Sequence, residues 1–103
     1  MVSDDSIIYV GSKPPMSYVL AVVTQFQLGK DELLVKARGR IISKAVDVVE
    51  IIKNRILKSD NLQIGNIEIS TEQRDGDKGK KVNVSVISIP LIKVKKESEN
   101  KND

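Results

Sequence analysis

The apolar residues of this chain are mostly isoleucine and valine, and its aromatic side chains are Tyr9, Tyr18 and Phe26 alone. Side chains branched at Cβ are stiff and pack best on a pleated surface, so a core made of them favours strands. At 103 residues with 40% hydrophobic content, the chain has material for one such core and not for two.

Hydrophobic periodicity then sets the order of the elements. Ile7-Ile8-Tyr9-Val10, bounded by Gly11, reads as a buried strand. Lys13-Pro14-Pro15 makes a stiff turn, with Pro15 suited to the first position of a helix. Met16, Val19, Leu20, Val23 and Phe26 follow at helical spacing, and Gly29 is the expected stop. Leu33-Leu34-Val35 reads as a second strand, followed by a loop at Arg38-Gly39-Arg40. A second helix is expected from about Ile41 to Leu57. Its apolar arc is Ile41, Ile42, Ala45, Val49, Ile52 and Ile56, opposite Arg40, Lys44, Asp47 and Asn54. Ile51 falls among the polar set, as a contact with another chain or as a lone exposed apolar residue.

From Leu62 to about Gln73 the pattern is that of a third strand, with a bulge or bend where the alternation changes phase at Gly65-Asn66. Arg74 through Lys80 is glycine-rich and charged, as a long hairpin tip would be, and Val82 to Val94 reads as the fourth strand. Pro90 places the far end of that strand at an edge or a bulge. The expected fold is a single α+β domain over residues 7–94, ordered β-α-β-α-β-β, with two helices on a four-stranded mixed sheet. Residues 1–6 and 95–103 are expected to be flexible tails, the latter having almost no apolar content.

Composition removes several kinds of chemistry. With neither cysteine nor histidine there is no disulfide framework, thiolate nucleophile, zinc–cysteine site or imidazole base. The acidic start Met1-Val2-Ser3-Asp4-Asp5-Ser6 lacks the basic region of a signal peptide, and no apolar stretch is long enough to span a membrane. The expectation is a soluble cytoplasmic protein without a cofactor or a membrane partner. Gly11-Ser12-Lys13 lacks the upstream glycine and spacing of a phosphate loop. The carboxylates Asp4, Asp5, Asp47 and Glu50 form no constellation that supports a metal nuclease.

A net charge of +3 means little by itself, but its distribution does. Lys36, Arg38, Arg40 and Lys44 fall within nine residues that contain no acid. They span a strand end, a tight loop and a helix start. Gly39 lets a backbone approach closely, helix N–H groups point at an anion, and arginine forks match phosphate oxygens. Cations at a helix start also oppose its dipole by a few tenths to about 1 kcal/mol, which a purely structural sequence would avoid. A phosphate site and a solvated basic loop both fit this pattern. Arg74, Lys78, Lys80 and Lys81 form a second candidate, diluted by Glu72, Asp75 and Asp77, and Lys13 is a third.

Two longer stretches carry a resemblance. Val10-Gly11-Ser12-Lys13-Pro14-Pro15-Met16-Ser17-Tyr18-Val19-Leu20-Ala21 is similar to the first signature of the Alba family of archaeal chromatin proteins. Lys36-Ala37-Arg38-Gly39-Arg40-Ile41-Ile42-Ser43-Lys44-Ala45-Val46-Asp47, continued by Val49 to Arg55, resembles the second. The resemblance covers residues 7–94. It implies a fold like the C-terminal domain of bacterial translation initiation factor three. It also implies a homodimer that coats double-stranded DNA without sequence preference, binds RNA as well and associates with the chromosome. By position it assigns phosphate contact to Lys13, Arg38, Arg40 and Lys44, and a groove-reaching arm to Arg74 through Lys81. Ser12 stands where many members carry a first, acetylated lysine, which leaves Lys13 as the modification candidate by proximity. Ile56 stands where some relatives have an aromatic residue, so Ile51, Ile56 and Leu57 are the candidates for contacts between dimers.

Overall fold

A computed structural model describes residues 4–56 and 61–94. Of the two expected tails, residues 1–3 and 95–103 lie outside that range. Residues 4–6 form a 3-10 turn leading into the first strand, where Lys30 Nζ meets Asp5 at 3.2 Å and donates to Ser6 Oγ at 3.1 Å.

Strand β1 (Ile7–Tyr9) is an edge strand of mixed exposure and not the buried strand expected, because it pairs on one side only. Helix α1 (Pro15–Gln27) starts with Pro15 in its first turn after an extended Pro14. It closes when Lys30 N–H donates to Gln25 O and Gly29 N–H to Phe26 O, with Gly29 at φ +106°. Its buried stripe is Val19, Val22 and Phe26, whereas Leu20 is 61% exposed and Met16 points outward with it. Two overlapping apolar arcs exist on this helix, and packing against α2 and the sheet selects the one containing Val22.

Strand β2 (Glu32–Arg38) alternates strictly: Leu33, Val35 and Ala37 are buried, while Leu34, Lys36 and Arg38 lie on the opposite face. Arg38 therefore closes the strand and does not sit in the loop after it. A 3-10 turn (Gly39–Ile41) leads into helix α2 (Ile42–Ile51), which runs on as a π-helical turn over Ile52–Ile56. The expected helix reaching Leu57 is thus shorter in α-helical form, and Leu57 itself lies outside the described residues. Ala45, Val48, Val49 and Ile52 are buried, and Ile51 packs against that core instead of standing out among polar residues.

The expected third strand is interrupted, not merely bent. Strand β3 (Leu62–Ile64) and strand β4 (Glu68–Asp75) both pair antiparallel with strand β5 (Lys81–Lys93), β3 with its end and β4 with its start. The sheet runs β1-β2-β5, with β3 and β4 sharing the far side of β5. Pro90 explains the break. It sits inside the central strand, opposite Leu34 of β2, and its carbonyl accepts from Gly65 N–H at 2.9 Å. A strand residue's N–H and C=O point the same way, so the missing donor of Pro90 faces the interruption between β3 and β4, where no ladder acceptor waits. A Cβ on Gly65 would stand 3.0 Å from Pro90 Cβ, a tight contact that glycine relieves where the chain passes Pro90.

Both helices lie on the face that carries Leu33, Val35, Ile89 and Leu91, and these residues form one core with Val19, Val22, Phe26, Val48 and Ile52. The other face of the sheet is open. Two helices on one face of a mixed sheet is the α+β arrangement expected.

Candidate nucleic-acid interface

Strand direction gathers the basic segments. β1 and β2 run parallel, so the loops that follow them, residues 11–14 and 39–41, emerge at the same end of the sheet. β5 runs antiparallel to β2 with Val86 opposite Arg38, so residues 81–85 continue past the end of β2. At ~3.4 Å per residue, that overhang is about 17 Å, and β4 accompanies it as far as Asp75 opposite Lys81. A two-stranded arm therefore projects from the end where both loops lie.

Lys13 is exposed in the first loop, and Ser12 is exposed beside it. Lys44, on the first turn of α2, is half-buried, and its ammonium donates to the carbonyls of Gly11 and Lys13, each at 2.8 Å. The phosphate-contact role expected for Lys44 has a competitor: two of its three N–H groups are already engaged within the protein.

Arg38 is also engaged. Its guanidinium donates from Nε to Glu72 Oε1 at 2.8 Å and from Nη2 to Oε2 at 3.3 Å, and it lies over the Tyr9 ring with 5.4 Å to the centroid. Register explains the meeting. Arg38 opposes Val86 and Glu72 opposes Val84, so the two side chains face each other diagonally across β5 on the open face. The hydrogen bond to Arg38, with its charge and the charges of Arg74 and Lys36, holds the Glu72 carboxyl below the usual glutamate range. Lys36 is half-buried on the same face. Lys36, Arg38 and Arg74 thus surround one acid.

Gly39 has φ +61°, and a Cβ there would lie 3.7 Å from Val84 Cγ1. The left-handed backbone, not crowding, calls for glycine at this turn. Arg40 follows it, exposed and without an ion-pair partner among the described residues.

Along the arm, Arg74, Lys78 and Lys80 are exposed, with Lys78 at φ +59° in the 3-10 turn (Asp77–Gly79) at the tip. Lys81 differs, since its ammonium meets Asp75 Oδ1 at 2.8 Å. The sequence-expected cations therefore divide. Lys13, Arg40, Arg74, Lys78 and Lys80 face solvent, whereas Arg38, Lys44 and Lys81 are tied within the chain. Sequence reasoning missed Glu72 as a partner of Arg38 and Tyr18 as a partner of the first loop. Glu72 was visible only as a dilution of the arm's charge, and no local pattern marks Tyr18. Among the described residues, no group of three or more acidic side chains is placed to hold a metal ion.

The Alba family model matches residues 6–71, a span that contains both signature stretches and ends at the base of the arm. The chain belongs to the Alba family. It is 51% identical to the DNA/RNA-binding protein Alba of Methanocella arvoryzae, over 85% of this chain and 90% of that one. It is also 51% identical to DNA/RNA-binding protein Alba 1 of Archaeoglobus fulgidus, over 86% of this chain and 97% of the relative. The solved structure of Alba from Thermoplasma volcanium superposes with a TM-score of 0.78 at 46% identity, covering 84% of this chain and 99% of that chain. ALBA1 from Trypanosoma brucei shares the fold at 23% identity, with a TM-score of 0.71, covering 90% of this chain and 73% of that one.

Within this Alba fold the residues considered for contacts between dimers differ in exposure where they are described. Ile51 is packed on the core, Ile56 is 42% exposed at the end of the π-helical turn, and Leu57 lies outside the described residues. No helix among the described residues is long and apolar enough to cross a membrane.

Proposed function

We propose that this Alba-family protein binds nucleic acid through the phosphate backbone, coating double-stranded DNA as a homodimer and also binding RNA. The observation that carries the reading is the convergence of the first loop, the Gly39–Ile41 turn and the arm at one end of the sheet. Lys13, Arg40, Arg74, Lys78 and Lys80 are the solvent-facing donors there. Relatives at 51% identity named as DNA/RNA-binding proteins support it. A surface of cations with few aromatics suits grip on a backbone, not stacking on splayed bases.

Self-association is supported by a groove of about 320 Å³ on the helix-bearing face, where Ile42, Ile69 and Ile87 meet the hydroxyl residues Ser70, Thr71 and Ser85. Ile69 is 81% exposed there, and Val46, one turn along α2 from Ile42, is 42% exposed. A two-stranded arm is marginal alone in water, and exposed apolar surface at its base is where a second copy would add support. A twofold axis would bring the same groove from each copy together.

The deciding experiment is a salt titration of binding to DNA and RNA duplexes of equal length. Six or more neutralised phosphates per dimer predict a loss of roughly a thousandfold in affinity between about 50 and 200 mM salt. A flat response would overturn backbone binding, and a large preference for RNA would shift the reading from chromosome coating to RNA.

A further inference from the structure

The loop of Gly11, Ser12 and Lys13 lies beyond the sheet ladder, whose last bond at this edge is Val10 N–H to Lys36 O at 2.8 Å. Two side chains from two helices instead satisfy four of its backbone groups. Tyr18 Oη on α1 accepts from Gly11 N–H at 2.8 Å and from Lys13 N–H at 3.0 Å. Lys44 Nζ on α2 donates to Gly11 O and Lys13 O at 2.8 Å each.

We propose that Tyr18 and Lys44 are positioning residues that fix the backbone carrying Lys13, and that they act on nucleic acid through Lys13. The inference rests on the reading of Lys13 as a phosphate contact. Both the N–H and the C=O of Lys13 are held, one by each side chain, so the peptide units on either side of its Cα are fixed. The anchors spring from helices seated on the core: Tyr18 packs against it beside the buried Val19, and Lys44 precedes the buried Ala45. Pro14 and Pro15 restrict the chain immediately downstream.

The division of labour follows from donor geometry. An ammonium has three N–H groups, and a lysine reaching for phosphate from solvent keeps them outward. Lys44 is half-buried with two of them turned to carbonyls, while Lys13 is exposed with its side chain outward. Lys44 shapes the loop, and Lys13 presents the charge.

A double-mutant cycle tests this. Affinity for one mixed-sequence duplex at fixed low salt would be measured for wild type, Lys13→Ala, Lys44→Ala, Tyr18→Phe, and the doubles Lys13→Ala/Lys44→Ala and Lys13→Ala/Tyr18→Phe. Each single change is expected to weaken binding several-fold, and each double to match Lys13→Ala within about twofold. Faster amide exchange at Gly11 and Lys13 in Tyr18→Phe is expected alongside. Multiplying fold-changes in the doubles would overturn the proposal, whether Lys44 touches phosphate itself or merely supports the whole fold. Lys13→Ala binding as tightly as wild type would also overturn it, without touching the broader reading. Failure of wild type to bind any duplex would instead overturn the functional reading on which it rests.

Discussion

Arg38 and Glu72, at the end of β2 and midway along β4, form a two-point ion pair across β5, at 2.8 and 3.3 Å. The pair joins the body of the protein to the base of its arm, and it places an acid at the centre of the basic surface. The side chains are 28% and 38% exposed, so water and salt screen the attraction. Its contribution to stability is therefore small, and under the proposed function a phosphate would compete with Glu72 for one guanidinium.

Removing that acid is therefore expected to strengthen binding. Glu72→Gln keeps the side chain's shape and frees the charge of Arg38. The expected result is tighter duplex binding, with a salt dependence steeper by about 0.9 per protomer in the log–log slope. Fluorescence anisotropy at several salt concentrations measures both, and an unchanged slope would show that Arg38 stays away from phosphate.

The same pair sets a pH dependence. Glu72 is held below its ordinary value of 4.5 by the Arg38 hydrogen bond. The contribution of the pair is thus fully present above that value and is lost as pH falls below it through the depressed folded-state value. In Arg38→Ala, the Glu72 carboxyl is expected to titrate at higher pH than in wild type. Carbon-13 NMR of the carboxyl carbon follows this directly, and identical titrations would mean that the pair does not form in solution.

Self-association is expected to depend on the exposed base of the arm. Ile69→Asp puts a charge into the groove beside Ile42 and Ile87, where two copies would desolvate it together. Sedimentation should show a dimer for wild type and a monomer for the variant, with helical content retained. A dimer of undiminished strength would place the interface elsewhere.

Arg40 is the exposed cation of the central run, and Arg40→Ala should weaken all duplex sequences alike, since phosphates carry no sequence information. Loss confined to one sequence would indicate base contact. Its neighbour Gly39 predicts a different defect. Gly39→Ala has room for the methyl group but must hold φ near +61°, at a stability cost on the order of 1–2 kcal/mol, readable as a lowered Tm.

Much of this molecule was legible along the chain, and the exceptions share a cause. Pro15 and Gly29 bound α1 as expected, because caps depend on residues close in sequence. The buried stripe of α1 was not legible, since Met16, Val19, Leu20, Val22, Val23 and Phe26 offer two apolar arcs and only packing against α2 and the sheet decides between them. Gly65-Asn66 signalled a disturbance in the third strand, but its depth depended on Pro90, which reaches that point only through the pairing of β3 and β4 with β5.

The sequence alone determined the element order as far as the third strand, which the structure splits into β3 and β4, along with the single aliphatic core, the basic run from Lys36 to Lys44 and the likeness to the Alba family. Each of these is a local pattern or a count. Tertiary structure decided which cations remain available. Arg38 meets Glu72 thirty-four positions away, and Lys44 meets the carbonyls of Gly11 and Lys13 more than thirty positions away. A charge becomes a contact or a brace according to what the fold sets beside it, and strand direction and register set those neighbours.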